Sequence, residues 1–334
     1  MKARRTFCPQ SGLSGDRSGW FFPGGLRRPL ERGQSVSTDR QFRIVHLSDL
    51  HLTRNDDMAR SEPRLFGALR GMNNAFRQIV RSPAVQRADY VIVTGDVTDR
   101  GDLASWEVFW EAVCGAGLVD RLAVVPGNHD VCHLGLARLP DRNCRKADLQ
   151  RVVAGLKRGS RLTKFPWVVR PDPRVAVFGL NSNNLGNLSV ATNALGRVRH
   201  CQLKRLAALL YRNRNVPVKI VALHHSPDIP SARTARRRRQ RPFGPLERLA
   251  FQIPGDQRHS LMLLCIAHRV RLVLHGHLHT RADRRIAGVR VVGAPASTEP
   301  LHRGGITKEY GLYMYTVQRQ GRRVDCRFQT VRVV

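Results

Sequence analysis

Short apolar segments rich in valine and isoleucine alternate along this chain with segments of helical periodicity. In the first half, RIVHLS, YVIVTG and LAVVPG flank predicted helices near residues 64–81 and 103–117. Branched side chains favour strands, and strands that alternate with helices are typical of layered α/β domains. The order of these segments therefore predicts an α/β fold in which strands are packed between helices.

The alternation continues in the second half and ends in a run of strands. VAVFGLN, VKIVALHH and VRLVLHG are predicted strands, with predicted helices near residues 203–210 and 258–268. VRVVGA, LYMYTV and CRFQTV follow, and a turn is predicted at Gly321 before the last of them. We expect an antiparallel section to close the fold.

Two regions break this pattern. Residues 1–40 are rich in Gly, Ser, Pro and Arg without periodic hydrophobicity, so we expect a flexible basic leader. A start of translation nearer Phe42, where the first strand signal begins, is an alternative. Residues 41–334 are predicted to form one domain. Within it, residues 230–257 carry an Arg run and several prolines, which predict an inserted basic surface loop.

The net charge of +32 is unusual, although the 42% hydrophobic and 25% charged residues are typical of globular proteins. A field of this sign attracts polyanions such as nucleic acids or acidic lipid surfaces. The alternative is a general preference for arginine along the whole chain, with no bearing on partners. No stretch approaches the roughly 18 to 20 apolar residues that cross a bilayer, so no transmembrane segment is predicted.

The seven cysteines include no C-x-x-C pair and no short-range framework. This spacing argues against a disulfide scaffold and against a zinc finger. We therefore expect reduced thiols in a cytoplasmic protein.

Five short segments place metal-ligating residue types at the ends of predicted strands. They are SDLH, TGDVTD, PGNHD, LHHSP and HGHLH, and they contain Asp49, His51, Asp96, Asp99, Asn128, His129, Asp130, His224, His225, His275, His277 and His279. Ligands gather beyond the carboxyl ends of strands in open α/β sheets, so these segments can meet at one site. Two divalent ions about 3.5 to 4 Å apart need a bridging carboxylate with further oxygen and imidazole ligands. Together the segments predict a dinuclear metal site.

The local spacing agrees with this prediction. In a strand, residues i and i+2 point the same way, so Asp49 with His51, and His277 with His279, are each expected to present two donors together. Glycines stand beside three of the segments, where the chain must turn sharply or approach the metals closely. A single such motif is more often a turn or a packed histidine, and the prediction depends on five in this order.

The five segments resemble the calcineurin-like metallophosphoesterases, whose pattern is D-x-H, G-D-x-x-D, G-N-H-D/E, an H-x-P segment and G-H-x-H. The resemblance covers about residues 42–295 and implies a four-layer α/β/β/α sandwich. It also implies two metal sites that share a bridging Asp96. The first would be formed by Asp49, His51, Asp96 and His279, and the second by Asp96, Asn128, His224 and His277.

The same resemblance implies roles for the residues beside the metals. His129 would stand near the leaving-group oxygen as general acid or charge stabiliser, and the carboxylate of Asp99 would orient it. Asp130 is interpreted as a residue that supports a ligand or caps a loop. His225 and His275 flank ligands, and both a substrate-facing and a structural role stay open for them.

The resemblance also bears on the metals. Purple acid phosphatases carry an Fe(III)-binding tyrosine where this chain has Asp99, so two divalent ions are expected instead. Oxygen and nitrogen ligands without thiolate suit Mn²⁺, Fe²⁺ or Zn²⁺.

GDVTDRG, GNHD and GHLH are most similar to the bacterial branch that hydrolyses cyclic nucleotides and glycerophosphodiesters, which implies a small phosphodiester substrate. A nucleic-acid phosphodiesterase is the alternative, motivated by the net charge and the Arg run at residues 233–241, although only Phe243 supplies an aromatic ring near that run. A lipid-precursor phosphohydrolase at a membrane surface is a third enzymatic hypothesis. A binding module without turnover is the non-enzymatic one. The oligomeric state stays open.

Overall fold

Two β-sheets lie face to face in the interior of the protein. The structure is a computed structural model, and it describes residues 40–61, 69–131, 144–183, 194–229, 231–237, 242–245, 248, 251–302, 307–318 and 323–333. The predicted leader lies outside these residues apart from Arg40, so its boundary stays a prediction. No helix in the described part of the chain is long and apolar enough to cross a bilayer.

The first sheet has the strand order β11-β10-β1-β2-β3. Its strands are β1 (Phe42–Leu47), β2 (Tyr90–Thr94), β3 (Leu122–Val125), β10 (Lys308–Val317) and β11 (Val324–Val333). β1, β2 and β3 run parallel, whereas β10 pairs antiparallel with both β1 and β11. The predicted antiparallel closing section is thus confirmed, while Gly321 lies outside the described residues.

The second sheet has the order β4-β5-β6-β7-β9-β8. Its strands are β4 (Trp167–Asp172), β5 (Val175–Gly179), β6 (Val218–Ala222), β7 (Leu272–His275), β8 (Ala282–Ile286) and β9 (Val289–Gly293). The central four strands run parallel, and the edge strands β4 and β8 are antiparallel to their neighbours. Parallel strands are covered on both faces, which is why β5, β6 and β7 are buried throughout and are apolar apart from Lys219 and His275.

Helices flank the two sheets, and the longer ones pack on their outer faces. The described helices are α1 (Met72–Arg81), α2 (Pro83–Gln86), α3 (Leu103–Gly115), α4 (Asn128–Val131), α5 (Cys144–Lys157), α6 (His200–Arg212), α7 (Ala232–Arg237) and α8 (Gly255–Ala267). Phe76 and Phe109 join helices α1 and α3 to the first sheet. Leu206 and Leu261 join α6 and α8 to the second sheet. These layers confirm the predicted α/β fold.

Two predicted boundaries are wrong in the described residues. The helix expected near residues 64–81 begins only at Met72, because Gly71 before it has a left-handed backbone with φ 78°. The loop expected over residues 230–257 contains the short helix α7, and α8 begins before the loop was predicted to end. Alanine and arginine are strong helix formers, so the composition of α7 favours a helix despite its charge.

Candidate metal centre

The metal-ligating segments all follow the carboxyl ends of parallel strands. SDLH follows β1, TGDVTD follows β2, PGNHD follows β3, LHHSP follows β6 and HGHLH follows β7. Backbone hydrogen bonds join the first two segments, from Asp49 N to Gly95 O (3.0 Å) and from His51 N to Asp96 O (2.9 Å). The structure therefore brings the five segments together, as the sequence predicted.

An unusual backbone conformation aims these side chains at one another. Positive φ angles occur at Asp49 (52°), His51 (46°), Asp96 (48°), His277 (70°) and His279 (50°). In the described residues, only Arg269 and Ala287 share this feature among residues other than glycine. The left-handed conformation costs on the order of 1–3 kcal/mol for such a residue and is concentrated at functional sites.

The predicted reason for the convergence of these side chains, the two-residue repeat of a strand, is wrong. Asp49 and His51 were expected to lie in a strand, as were His277 and His279, yet β1 ends at Leu47 and β7 at His275. The side chains converge because alternate residues beyond each strand take the left-handed conformation, not because a strand repeats every two residues.

The first cluster of potential ligands consists of Asp49, His51, Asp96 and His279, whose donor atoms lie within 4.8 Å of one another. The Nε2 atom of His279 lies 3.1 Å from His51 Nε2 and 3.4 Å from Asp49 Oδ1. Burial and the nearby guanidinium of Arg60 lower the pKa of His51 to about 3, so its ring is neutral. Imidazole nitrogens beside buried carboxylates form a donor set that a divalent cation fits.

The second cluster consists of Asp96, Asn128, His224 and His277. His224 Nε2 lies 3.0 Å from Asn128 Oδ1 and 3.3 Å from Asp96 Oδ2, while its Nδ1 donates to Thr94 O at 2.7 Å. Burial opposes protonation of His224, but the Asp96 carboxylate outweighs burial and raises the pKa of His224 to about 9. In the absence of a metal, a proton therefore compensates the carboxylate.

His277 gives independent support for a cation in the second cluster. Its Nε2 atom is buried and has no hydrogen-bond partner among the described residues. Burial lowers the pKa of His277 to about 3, so this nitrogen carries no added proton. A buried, unsatisfied imidazole nitrogen is costly unless a ligand binds it.

Two glycines allow the segments to approach. A Cβ atom at Gly127 would lie 2.1 Å from Asp96 Oδ1, and one at Gly276 would lie 1.8 Å from Ser48 Oγ. The sequence predicted such close approach beside the ligands, and the structure confirms it at these positions. Any side chain there would displace Asp96 or the segment that carries Asp49.

His129 lies beside the first cluster, with its ring centroid 4.6 Å from that of His51. Its Nδ1 donates to the carbonyl oxygen of Asp99 at 2.9 Å. The backbone of Asp99 makes this bond, while a carboxylate oxygen of Asp99 lies within 4.8 Å of a His129 ring nitrogen, so the role of the carboxylate in orienting His129 stays a prediction. The carboxylate also accepts from Ser61 N (2.8 Å) and Ser61 Oγ (2.9 Å) and lies 3.5 Å from His51 Nδ1.

Asp130 stabilises the loops that carry the ligands. Its carboxylate accepts hydrogen bonds from Thr98 N at 2.8 Å, Thr98 Oγ1 at 2.9 Å and Gly127 N at 2.8 Å. Burial and the charge of Asp96 raise the pKa of Asp130 to about 6. These contacts favour the role of Asp130 in capping the loops over direct support of a metal ligand.

His225 and His275 differ in their surroundings, although both are buried. His275 Nδ1 donates to Gly276 O at 3.0 Å, and its Nε2 lies 3.4 Å from Ser226 Oγ, which favours a structural role. His225 contacts Ser182 Oγ through Nδ1 at 2.9 Å, and its ring centroid lies 4.5 Å from that of His277. Of these two histidines, His225 is therefore the one whose ring packs against that of a potential metal ligand, His277.

The sequence did not point to two residues that line the centre. Arg60 is 2% exposed, and its Nη2 lies 2.8 Å from His279 Nδ1. The ring of Phe251 meets that of His277 with centroids 5.5 Å apart. Arg60 belongs to a segment without motif or periodicity, and one arginine among many carries no local signal.

Comparison with known proteins agrees with the geometry. A sequence profile of the family described as calcineurin-like phosphoesterase matches residues 42–281. Comparison with curated protein sequences gives no match.

Solved structures show the same fold at low sequence identity. The chain is similar to a dimetal phosphatase from Danio rerio, with 14% identity and a TM-score of 0.56 over 86% of this chain and 98% of that one. It is also similar to a purple acid phosphatase from yellow lupin, with 14% identity and a TM-score of 0.50 over 87% of this chain and 54% of that one. At this level of identity the likeness concerns the fold alone.

Proposed function

The chain belongs to the calcineurin-like phosphoesterase family, and we propose that it uses two divalent ions to hydrolyse a small phosphodiester such as a cyclic nucleotide or a glycerophosphodiester. The observation that carries this proposal is the position of Asp96, which belongs to both the first and the second cluster. Its pKa lies well below the usual range, because His224 and His129 outweigh the effect of burial. An ionised carboxylate shared by two ligand sets is what a bridged pair of dications requires.

In this proposal the first cluster binds one ion and the second cluster binds the other. Bound divalent ions would supply Lewis-acid stabilisation of the phosphoryl oxygens and would acidify a water. Mn²⁺, Fe²⁺ and Zn²⁺ all suit the carboxylate, amide and imidazole donors. The protein contributes their placement, because Gly127 leaves room for Asp96, and Thr94 O fixes the tautomer of His224.

His129 is the proposed general acid or charge stabiliser. It is 5% exposed, and its hydrogen bond to Asp99 O fixes the orientation of the ring and commits a proton to Nδ1. The backbone N–H of His129 donates to Asp96 Oδ1 at 2.9 Å, which places the residue directly beside the shared carboxylate. With His51 and Asp99, His129 also forms a third group of potential donor atoms, but this proposal assigns it no metal and has it act on the leaving group.

The phosphodiester assignment is supported by the likeness of GDVTDRG, GNHD and GHLH to the bacterial diesterase branch. A monoester is the competing substrate, since the similar Danio rerio protein is described as a phosphatase. Metal-reconstituted protein assayed against cyclic nucleotides, glycerophosphodiesters, nucleic acids and monoesters tests the assignment. We expect the highest kcat/KM for a small diester. A higher kcat/KM for every monoester would overturn the diester assignment and leave the phosphoesterase in place.

A nucleic-acid phosphodiesterase is the second candidate, because one contact in the structure favours it. Phe243 follows the Arg run in the chain, its ring centroid lies 6.0 Å from that of Phe251, and the ring of Phe251 adjoins that of His277. Stacking platforms beside basic residues are typical of proteins that bind single-stranded nucleic acid. Hydrolysis of single-stranded nucleic acid with a kcat/KM above that for small diesters would favour this candidate.

A further inference from the structure

A buried arginine lies among the potential metal ligands. The guanidinium Nη2 of Arg60 is 2.8 Å from His279 Nδ1, 3.4 Å from His279 Nε2 and 3.5 Å from His51 Nε2. Its Nη1 lies 3.3 Å from Glu299 Oε2. The Arg60 side chain is 1% exposed, so this cation cannot be attributed to a solvated surface.

The backbone holds Arg60 at this position from several sides. Arg60 N donates to Leu69 O at 2.9 Å, and the next residue, Ser61, binds the Asp99 carboxylate through both its N–H and its hydroxyl. Thr298 Oγ1 donates to Leu50 O at 2.7 Å and so ties the segment that carries Glu299 to the loop after β1. These contacts hold the guanidinium beside the potential metal ligands His51 and His279.

The bond between Arg60 and His279 cannot persist once a metal binds that imidazole. If the metal binds Nδ1, the lone pair that accepts from Arg60 is taken. If the metal binds Nε2, the ring proton lies on Nδ1, which then donates and cannot accept. Metal binding must therefore release the Nη2 group of Arg60, and the Nη1 contact with Glu299 is not affected by this exchange.

A buried guanidinium beside two dications needs anionic partners. Glu299 supplies one charge, and it is 25% exposed. Once Nη2 is released from His279, the guanidinium lies beside the bound dications, and an anion between them would offset their repulsion. A phosphoryl group bound at the centre supplies the further negative charge, and the planar guanidinium fork fits two of its oxygens.

We propose that Arg60 is a phosphoryl-binding residue of this site. Its guanidinium hydrogen-bonds to His279 when no metal is bound, and it binds the phosphoryl oxygens of the ligand when the metals are bound. This inference depends on the proposed dinuclear centre, but it does not depend on which ester is hydrolysed. Arg60 and His129 both adjoin His51, with Arg60 Nη2 3.5 Å from His51 Nε2 and the ring centroids of His129 and His51 4.6 Å apart.

Orthophosphate binding to the metal-reconstituted protein tests the proposal without turnover. Calorimetric titration should show that Arg60→Ala weakens phosphate binding by about 10- to 100-fold, the range for a lost charge-assisted hydrogen bond. Titration of the metal-free protein with Mn²⁺ should show metal binding at least as tight as in the wild type, because a competing cation is removed. Arg77→Ala is the matched control, since it removes an arginine that is paired with Asp56 on the surface.

Three results would overturn the proposal. The first is a phosphate affinity of Arg60→Ala equal to that of the wild type. The second is loss of Mn²⁺ binding in Arg60→Ala, which would make Arg60 a structural support of His279. The third is an unchanged phosphate affinity of Arg60→Lys, which keeps the positive charge but lacks the planar guanidinium and can be measured even if Arg60→Ala does not fold. A wild-type protein that binds phosphate through Arg60 but hydrolyses no ester would refute the proposed function alone.

Discussion

The first and second clusters share Asp96 but differ in charge and surroundings. The first contains the carboxylates of Asp49 and Asp96, whereas the second contains Asp96 with the neutral amide of Asn128. The first is bordered by the cation Arg60, and the second by Phe251. A carboxylate attracts a dication more strongly than an amide does, and Glu299 offsets part of the positive charge of Arg60. We therefore expect the first cluster to bind its ion more tightly than the second.

One fold thus combines two unlike metal sites around a shared carboxylate. A bridging carboxylate couples two ions, but each cluster retains its own donors and its own neighbours. Substitutions should consequently fall into classes: those that affect both ions, those that affect one ion, and those that affect neither.

Asp96→Asn should abolish turnover and lower the occupancy of both clusters. A neutral amide cannot bridge two dications as a carboxylate does. Elemental analysis of the purified variant, together with its rate on a generic aryl phosphodiester, measures both effects. Asp325→Asn on β11 is the control, because it removes one carboxylate far from the centre along the chain. Near-wild-type rate with both metals retained would refute the bridging role of Asp96.

Asp49→Asn and Asn128→Ala should each remove one ion and spare the other. Asp49 belongs to the first cluster, and Asn128 belongs to the second, where its Oδ1 lies 3.0 Å from His224 Nε2. Turnover should fall strongly in both variants, because hydrolysis by a two-metal centre needs both ions. Metal titration should show one retained site per chain in each case. Loss of both ions from either variant would show that the clusters do not bind independently.

His129→Ala should retain both ions and slow the chemical step by about 10²- to 10⁴-fold, the usual contribution of a positioned acid. The loss should shrink for esters with good leaving groups, because these need little protonation. Metal content and kcat for a series of aryl phosphodiesters provide the measurement. A fall in metal content would instead reassign His129 as a ligand.

Much of the fold was predictable because its signals are local. Each strand is an apolar run, and each ligand segment directly follows a strand, so the convergence at one edge could be inferred from the sequence. The left-handed backbone at Asp49 and His277 was not predicted, because only the packed segments stabilise it. Arg60 meets His279 across 219 positions of the chain, and no periodic or motif signal connects them. The hydrogen bond from His129 to the carbonyl oxygen of Asp99 likewise depends on three-dimensional packing.

Replacing Arg236 to Arg239 with serine should have the smallest effect. Arg236 and Arg237 are exposed at the end of α7, while the other two lie outside the described residues. Charge runs of this kind are commonly solvated, so we expect KM for both a nucleic acid and a small aryl phosphodiester to stay unchanged. The salt dependence of kcat/KM should also stay the same. A rise in KM confined to nucleic acid would contradict this expectation and favour the nucleic-acid phosphodiesterase.

Anomalous diffraction from crystals of the Mn²⁺-reconstituted protein shows whether two ions share Asp96. We expect two anomalous peaks in contact with the Asp96 carboxylate. One peak should adjoin His51 and His279, and the other should adjoin His224 and His277. A single peak, or two peaks of which only one contacts Asp96, would refute the shared carboxylate.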